Sequence, residues 1–528
     1  MEPSRRAESF NRTMAPPEFP EAPPTEVKPS LSVGPPPLLP PGGQPSPRRS
    51  ATPYLVVALV LALVGIIVST LAYLDRRAEA ERLTERLAEA NRRIDDLETQ
   101  LEQLDQADEG GIEDILDQIL EDLLGEGFGS PGGDGNPFGD IQLLQCLAPS
   151  GFTGAVDEVD GTAPAQADEI GDLVAGDREL EFVAGEPAPT FLDPNATGQR
   201  VVDLNRDEYP PEEADLDERL LETLGAVDTA TNLRELSFEL LSSGVAGFYV
   251  PSTGELVVRS DDPNQPLGPI EQITLAHELQ HALADQNHEL LDRDLDSLGA
   301  DAALAALSLI EGDANLAGQR FALAHVSLQE QVEVSLSPEV TEAQVKLDEA
   351  PHFIARQLLF PYQEGMIFVC SQFLDGGWDA IDQLYANPPA STVEILVPER
   401  VGQAPVAVPE PAAPGGSWVE ARRDTFGAAE LMFLFEAPGD DEGRALADPL
   451  GAASAWAGGE YRLYVDGDAT AVSLSLAAVE GGEDTLCTAV NDFVGAAQLA
   501  GASAVRCDGS IVRLGVAPDA ATAEAVVG

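Results

Sequence analysis

Histidine and positive charge are both scarce in this sequence. Five of 528 residues are histidine, and 29 Lys and Arg stand against 92 Asp and Glu, a formal net charge of −63. Nucleic-acid phosphates are bound by clusters of Lys and Arg, and anionic lipid headgroups need the same, so neither is an expected partner. The acidity reads as solubility, suited to a salty habitat. Cysteine is scarce too: Cys146, Cys370, Cys487 and Cys507, with no CxxC pair. A zinc ribbon and a thioredoxin-like motif are therefore absent. Two readings stay open for the four thiols. One is two structural disulfides in an oxidising compartment, with Cys487–Cys507 the easier to close; the other is four scattered free thiols. There is no glycine-rich phosphate loop, no GxSxG elbow and no internal repeat, so nucleotide and serine-hydrolase chemistry have no support.

One stretch lacks charge altogether. Residues 54–74, YLVVALVLALVGIIVSTLAYL, match the roughly 20 residues a helix needs to cross about 30 Å of hydrocarbon. Tyr54 and Tyr73 sit near its ends, where interfacial aromatics are expected. The expectation is a transmembrane helix and a single-pass cell-membrane protein. Basic residues flank both ends: Arg48 and Arg49 before, Arg76, Arg77, Arg82 and Arg86 after. The count by itself favours the C-terminal side inside. The paired cysteines and the large acidic domain outweigh it, and the expected orientation puts that domain outside the cytoplasm.

The length allows two or three domains, and 44% hydrophobic residues are enough for a core. Residues 1–53 are proline-rich and read as a disordered tail. Over 75–107, Leu87, Ile94 and Leu101 repeat every seven, as do Leu83, Ala90, Leu97 and Leu104. That offset seam predicts a short coiled-coil stalk, and with it a homo-oligomer. A single solvated helix is the alternative, since about three heptads are present. Residues 108–145 are an acidic, glycine-rich linker, and folded structure is expected from Cys146 onward.

Two of the five histidines stand together in TLAHELQHALADQ, residues 274–286. Pro269 suits the first turn of a helix, and Ile270, Ile273, Ala276, Leu279, Ala282 and Leu283 recur at helical spacing. His277 and His281 are then one turn apart on one face, and Glu278 is rotated by about 100°. Two imidazoles can hold one ion while the carboxylate beside it takes a proton from the attacking water. A buried helix with two satisfied histidines is the plainer alternative.

A catalytic zinc needs a third protein ligand. The HExxHxxGxxH pattern is absent, because Ala284 and Asn287 occupy the decisive positions. His288 reads as a surface or flanking group. In the Ala- and Leu-rich helix predicted over 301–326, Glu311, Gly312 and Asp313 form the one acidic cluster. Buried carboxylates are costly unless paired or metal-bound, which makes Glu311 the third ligand. Asn315 and Asp285 are candidates to orient the imidazoles. Asp313 and Asn315 are equally read as polarity near a bend at Gly312.

HELQHAL followed by LSLIEGDAN resembles the gluzincin class of zinc metallopeptidases. The wider pattern is similar to a group of bacterial, often membrane-anchored metallopeptidases, mostly uncharacterised. It is carried by GFYVPSTGELVV, TLAHELQHALADQ, ALSLIEGDA, ARQLLFPYQEG, GGWDAIDQLYANPPASTVEILVPER and WAGGEYRLY, within about 235–465. Val397 stands where such relatives often carry a histidine. The resemblance implies a zinc-dependent peptidase with His277, His281 and Glu311 as ligands and Glu278 as general base. It implies a peptide or protein substrate, added as an extra strand along an edge near Leu256–Arg259. An oxyanion donor is needed; Tyr362, His352 and Tyr249 are candidates, and Tyr362 is preferred. Arg356 could equally be structural. A cell-surface scaffold with a peptidase-like fold, and a zinc hydrolase of another substrate, are the alternatives.

The expected fold is α+β. A mainly helical, zincin-like domain with a small edge-strand sheet occupies 146–404. Residues 366–386 are two helices with a glycine joint. A linker at 405–417 leads to an accessory α+β domain at 418–528, with a helix around Val490–Ala500.

Overall fold

The computed structural model describes residues 146–149 and 156–528, apart from 261, 263, 264, 289, 292–294, 336, 411, 412 and 500. The tail at 1–53, the span at 54–74, the coiled coil at 75–107 and the linker at 108–145 lie outside the described residues. Among those described, no helix is long and apolar enough to cross a membrane.

The chain is mixed α+β. Helix α1 (Ala163–Arg178) leads through β1 (Thr190–Leu192) to α2 (Pro194–Asn205), α3 (Pro211–Thr223) and α4 (Leu233–Gly244). Then come the hairpin β2 (Gly247–Val250) and β3 (Glu255–Arg259), α5 (Pro269–Asn287), α6 (Ala300–His325), α7 (Leu328–Ser335), α8 (Pro338–Glu349) and α9 (His352–Ala386). The short α10 (Thr392–Leu396) precedes a second unit.

Helix α5 starts where extended Gly268 meets Pro269, whose missing N–H costs nothing in a first turn. Every residue from Ile273 to Ala284 is buried. The helix is enclosed by α1, α6 and the β2–β3 hairpin, so its polar side chains must find partners inside the protein. Helix α6 is buried without interruption from Ala303 to Gly318. It crosses α9 glycine to glycine: a Cβ added at Gly312 would run into the Gly365 carbonyl, and one at Gly365 into the Ser308 carbonyl. Helix α9 contains Pro361 and breaks at Gly377, where φ is +64°. The glycine joint expected in 366–386 is there, but its first helix begins earlier, at His352.

The small sheet has the order β1-β3-β2. The edge expected near Leu256–Arg259 is corrected: β3 is the central strand, parallel to β1 and antiparallel to β2. The reason is legible afterwards, since Leu256, Val257 and Val258 are all buried, as a strand covered on both faces requires. The edge strand next to α5 is β2.

The second unit holds β4 (Val419–Thr425), α11 (Ala428–Glu436), α12 (Pro449–Ser454), β5 (Trp456–Asp466), β6 (Ala469–Ala478), α13 (Glu483–Ala497), β7 (Ala502–Asp508), β8 (Ile511–Ala517) and α14 (Ala520–Val527). Its strands form one antiparallel sheet, β4-β5-β6-β8-β7. The expected linker lies along it: the Val406 N–H donates to the Ala457 carbonyl at 2.7 Å. One apolar core runs from Cys146 to Val516, and Phe433 of α11 meets Phe353 and Phe360 of α9, each at 5.6 Å. Disulfides join Cys146 to Cys370 and Cys487 to Cys507.

Asp301, in the first turn of α6, is 3% exposed and accepts from the Thr392 N–H and hydroxyl. Burial pushes its carboxyl up to about 6, against the opposing pull of those two bonds. The native state thus binds this proton more tightly than the unfolded chain does. Its contribution favours folding below about pH 4 and is lost as pH rises through about 6, a change of about 3 kcal/mol. Denaturant titrations at pH 4 and 7 should show Asp301→Asn removing that part of the decline. An unaltered pH slope would contradict it.

Candidate metal centre

The centre is made where α5 and α6 pack together. His277 and His281 present their Nε2 atoms 3.0 Å apart, with the ring planes at 79°. Glu311 enters from α6 and places Oε2 3.4 Å from each Nε2. These three residues form a group able to hold a metal ion. An ion with four tetrahedral bonds of about 2.0–2.1 Å sets its ligand atoms roughly 3.3 Å apart; separations of 3.0, 3.4 and 3.4 Å fit that size. The chemistry fits as well. Glu311 has no hydrogen-bond partner beyond the two imidazoles it faces at 3.4 Å, an expensive state for a buried carboxylate unless a cation supplies the missing charge.

Electrostatics sort the ionisable groups. Burial takes His277 down to about 4, helped by the charge of His281 and opposed by Glu311. It is neutral near pH 7, the form that ligates metals. Burial works the other way on Glu311, but the two histidines prevail and bring it down to about 2. Glu278 is raised well above the usual range, first by burial and then by the charge of Glu311, with the Tyr249 backbone N–H opposing. Tyr249 belongs to β2, and a Cβ at Gly247 of the same strand would stand 3.3 Å from Glu278 Cγ. The edge strand β2 and the candidate base are therefore in contact.

Of the three oxyanion candidates, only Tyr362 comes to the centre. Its ring stacks on His277 with centroids 6.3 Å apart. The Tyr249 hydroxyl is instead bonded to Asp285 at 2.7 Å. Asp285, read from sequence as a candidate to orient the imidazoles, is the acceptor of that bond. His352 lies between Glu436 and Glu442 of the second unit. Arg356 pairs with Glu364 and Glu436 and joins α9 to α11. Asn315 donates to the Tyr362 backbone carbonyl at 3.1 Å, so it holds α9 and not a ring nitrogen. His288 stacks on Tyr385 at 4.5 Å and faces Asp382 at 3.4 Å.

Sequence reasoning missed Gln280, Arg178 and Tyr385, which meet Asp313 behind the ligands. A buried arginine ending α1 had no local signal, because its partner lies 135 residues away. His277, Glu278, His281 and Glu311 are each at most 2% exposed. No family model, curated protein or solved structure matches the chain.

Proposed function

We propose that the protein is a zinc-dependent hydrolase of peptide bonds, with zinc held by His277, His281 and Glu311 and with Glu278 as general base. The observation that carries this is the convergence of two imidazole nitrogens and a buried carboxylate, with no partner beyond them, at tetrahedral spacing. Two nitrogens and one carboxylate are a common donor set of catalytic zinc, with one position left open. Zinc bound there supplies a Lewis acid that polarises the attacking water and the scissile carbonyl, and its charge counters the upward push on Glu278.

The chain's own residues supply the rest. Glu278 takes the proton from the attacking water and passes it to the leaving amine. Tyr362, stacked on His277, is the donor assigned to the developing oxyanion. An extended peptide adds to β2, whose Tyr249 N–H already touches Glu278. By this reading residues 54–74 anchor the protein, residues 75–107 associate it with further copies, and the folded part faces an oxidising exterior. Both observed disulfides suit that placement. A binding protein with a peptidase-like centre is the second reading, and it rests on how completely the four groups are shut from solvent.

The test is metal removal and return. The purified full chain should contain one zinc per molecule, lose casein cleavage in 1,10-phenanthroline, and regain it on adding stoichiometric zinc. Glu311→Gln should weaken zinc binding by more than about 100-fold, beyond the 10- to 100-fold typical of supporting residues. Cleavage that survives complete removal of metal would sink the proposal.

A further inference from the structure

Asp313 lies two residues beyond Glu311, is fully buried, and has no part in the chemistry above. It nevertheless gathers three other helices. Gln280 of α5 donates Nε2–H to its Oδ2 at 2.8 Å. The Tyr385 hydroxyl of α9 donates to the same oxygen at 3.0 Å. Arg178, in the last turn of α1, donates Nε–H to Oδ1 at 3.2 Å. Arg178 is 1% exposed, and it is also paired to Asp382 of α9 at 2.8 Å and lies 4.5 Å over the ring of Trp378.

The geometry matters because two acidic side chains of α6, Glu311 and Asp313, both reach polar side chains of α5. Glu311 and Asp313 project about 200° apart around α6. One faces His277 and His281, and the other is bonded to Gln280, which lies between those histidines in sequence. Two attachments on different sides fix both the rotation of α6 and its register. A slip of one residue would move the Glu311 carboxylate about 1.5 Å along the axis and turn it by about 100°. A metal ligand tolerates neither.

We propose that Asp313 is the positioning residue of the metal centre. Its bonds to Gln280, Tyr385 and Arg178 set the distance from Glu311 to His277 and His281. The inference rests on the metal-centre reading and goes beyond it by naming what holds the ligands in place. The neighbouring pair Asp177–Arg320 provides a matched contrast. It is bidentate, at 2.6 and 2.7 Å, and Arg320 lies 5.4 Å over the same Trp378 ring, but it joins α1 to α6 without reaching α5.

The experiment measures zinc affinity against a chromogenic chelator, and the visible spectrum of the cobalt(II)-substituted protein, on the full chain. Asp313→Asn and Tyr385→Phe should each weaken zinc binding about 10- to 100-fold and shift the cobalt bands. Asp177→Asn should lower the thermal midpoint and change neither metal readout. Tyr385→Phe removes a single hydroxyl and answers the question even where Asp313→Asn does not fold. Wild-type affinity and spectrum in Tyr385→Phe would overturn the proposal. Equal metal loss in Asp177→Asn would overturn it too, since the effect would then be general loosening. A wild type that binds neither zinc nor cobalt defeats the underlying reading first, and the proposal with it.

Discussion

Glu278→Gln is expected to keep zinc in place and to cut peptide hydrolysis by about 10²–10⁴-fold, the usual worth of a positioned general base. The substitution keeps the shape of the side chain and an oxygen for the Tyr249 N–H, but it removes the ability to take a proton. Glu278 is fully buried and is raised well above the usual range by that burial. Its ionised form is therefore an electrostatic cost to the fold, and the neutral amide should fold at least as stably. Zinc analysis, a thermal melt and cleavage of casein and a quenched fluorescent peptide separate these effects. Full zinc, an unchanged melt and lost cleavage are the expected pattern. An unchanged rate would take Glu278 out of the mechanism and leave the binding-protein reading in possession.

Gly312→Ala should destabilise the protein and loosen the centre together. The new methyl would meet the backbone of Gly365 and stand 2.9 Å from the Met366 nitrogen. Backbone cannot rotate aside as a side chain can, so α6 and α9 must separate. Overpacking of this kind costs about 1–3 kcal/mol or more, and alanine's better helix propensity returns about 1 kcal/mol at most. A net loss of about 2 kcal/mol is expected in denaturant titration. Glu311 is the preceding residue, and Tyr362 lies one turn before Gly365, so zinc affinity should fall as well. Gly365→Ala strains the same crossing from the other side. The double variant should then lose less than the sum of the two single losses, as for residues in contact. Strict additivity would show that the two glycines do not share one constraint.

The histidine-bearing side of α5 was legible because its signal is local: two histidines and a glutamate at fixed spacing on a helix begun by proline. Glu311 was legible by contrast, as charge inside an apolar helix. The strand edge was misplaced because β1 is three residues long and carries no turn signal, yet it is β1 that converts β3 into a central strand. The β7–β8 hairpin left a usual trace, the two-residue loop Gly509–Ser510, with φ +59° at the glycine. The cluster around Asp313 had no such trace. Its partners come from residues 178, 280 and 385, and only the packing of four helices brings them together.

The bond between Cys146 and Cys370 closes a covalent ring with a sequence separation of 224 residues. All three candidate ligands, His277, His281 and Glu311, and Glu278 lie inside that ring. A single cut anywhere between the two cysteines therefore leaves two fragments that cannot part. A molecule nicked there by any protease will migrate as one species until a thiol reductant is added. Preparations judged only under non-reducing conditions will count cleaved protein as whole.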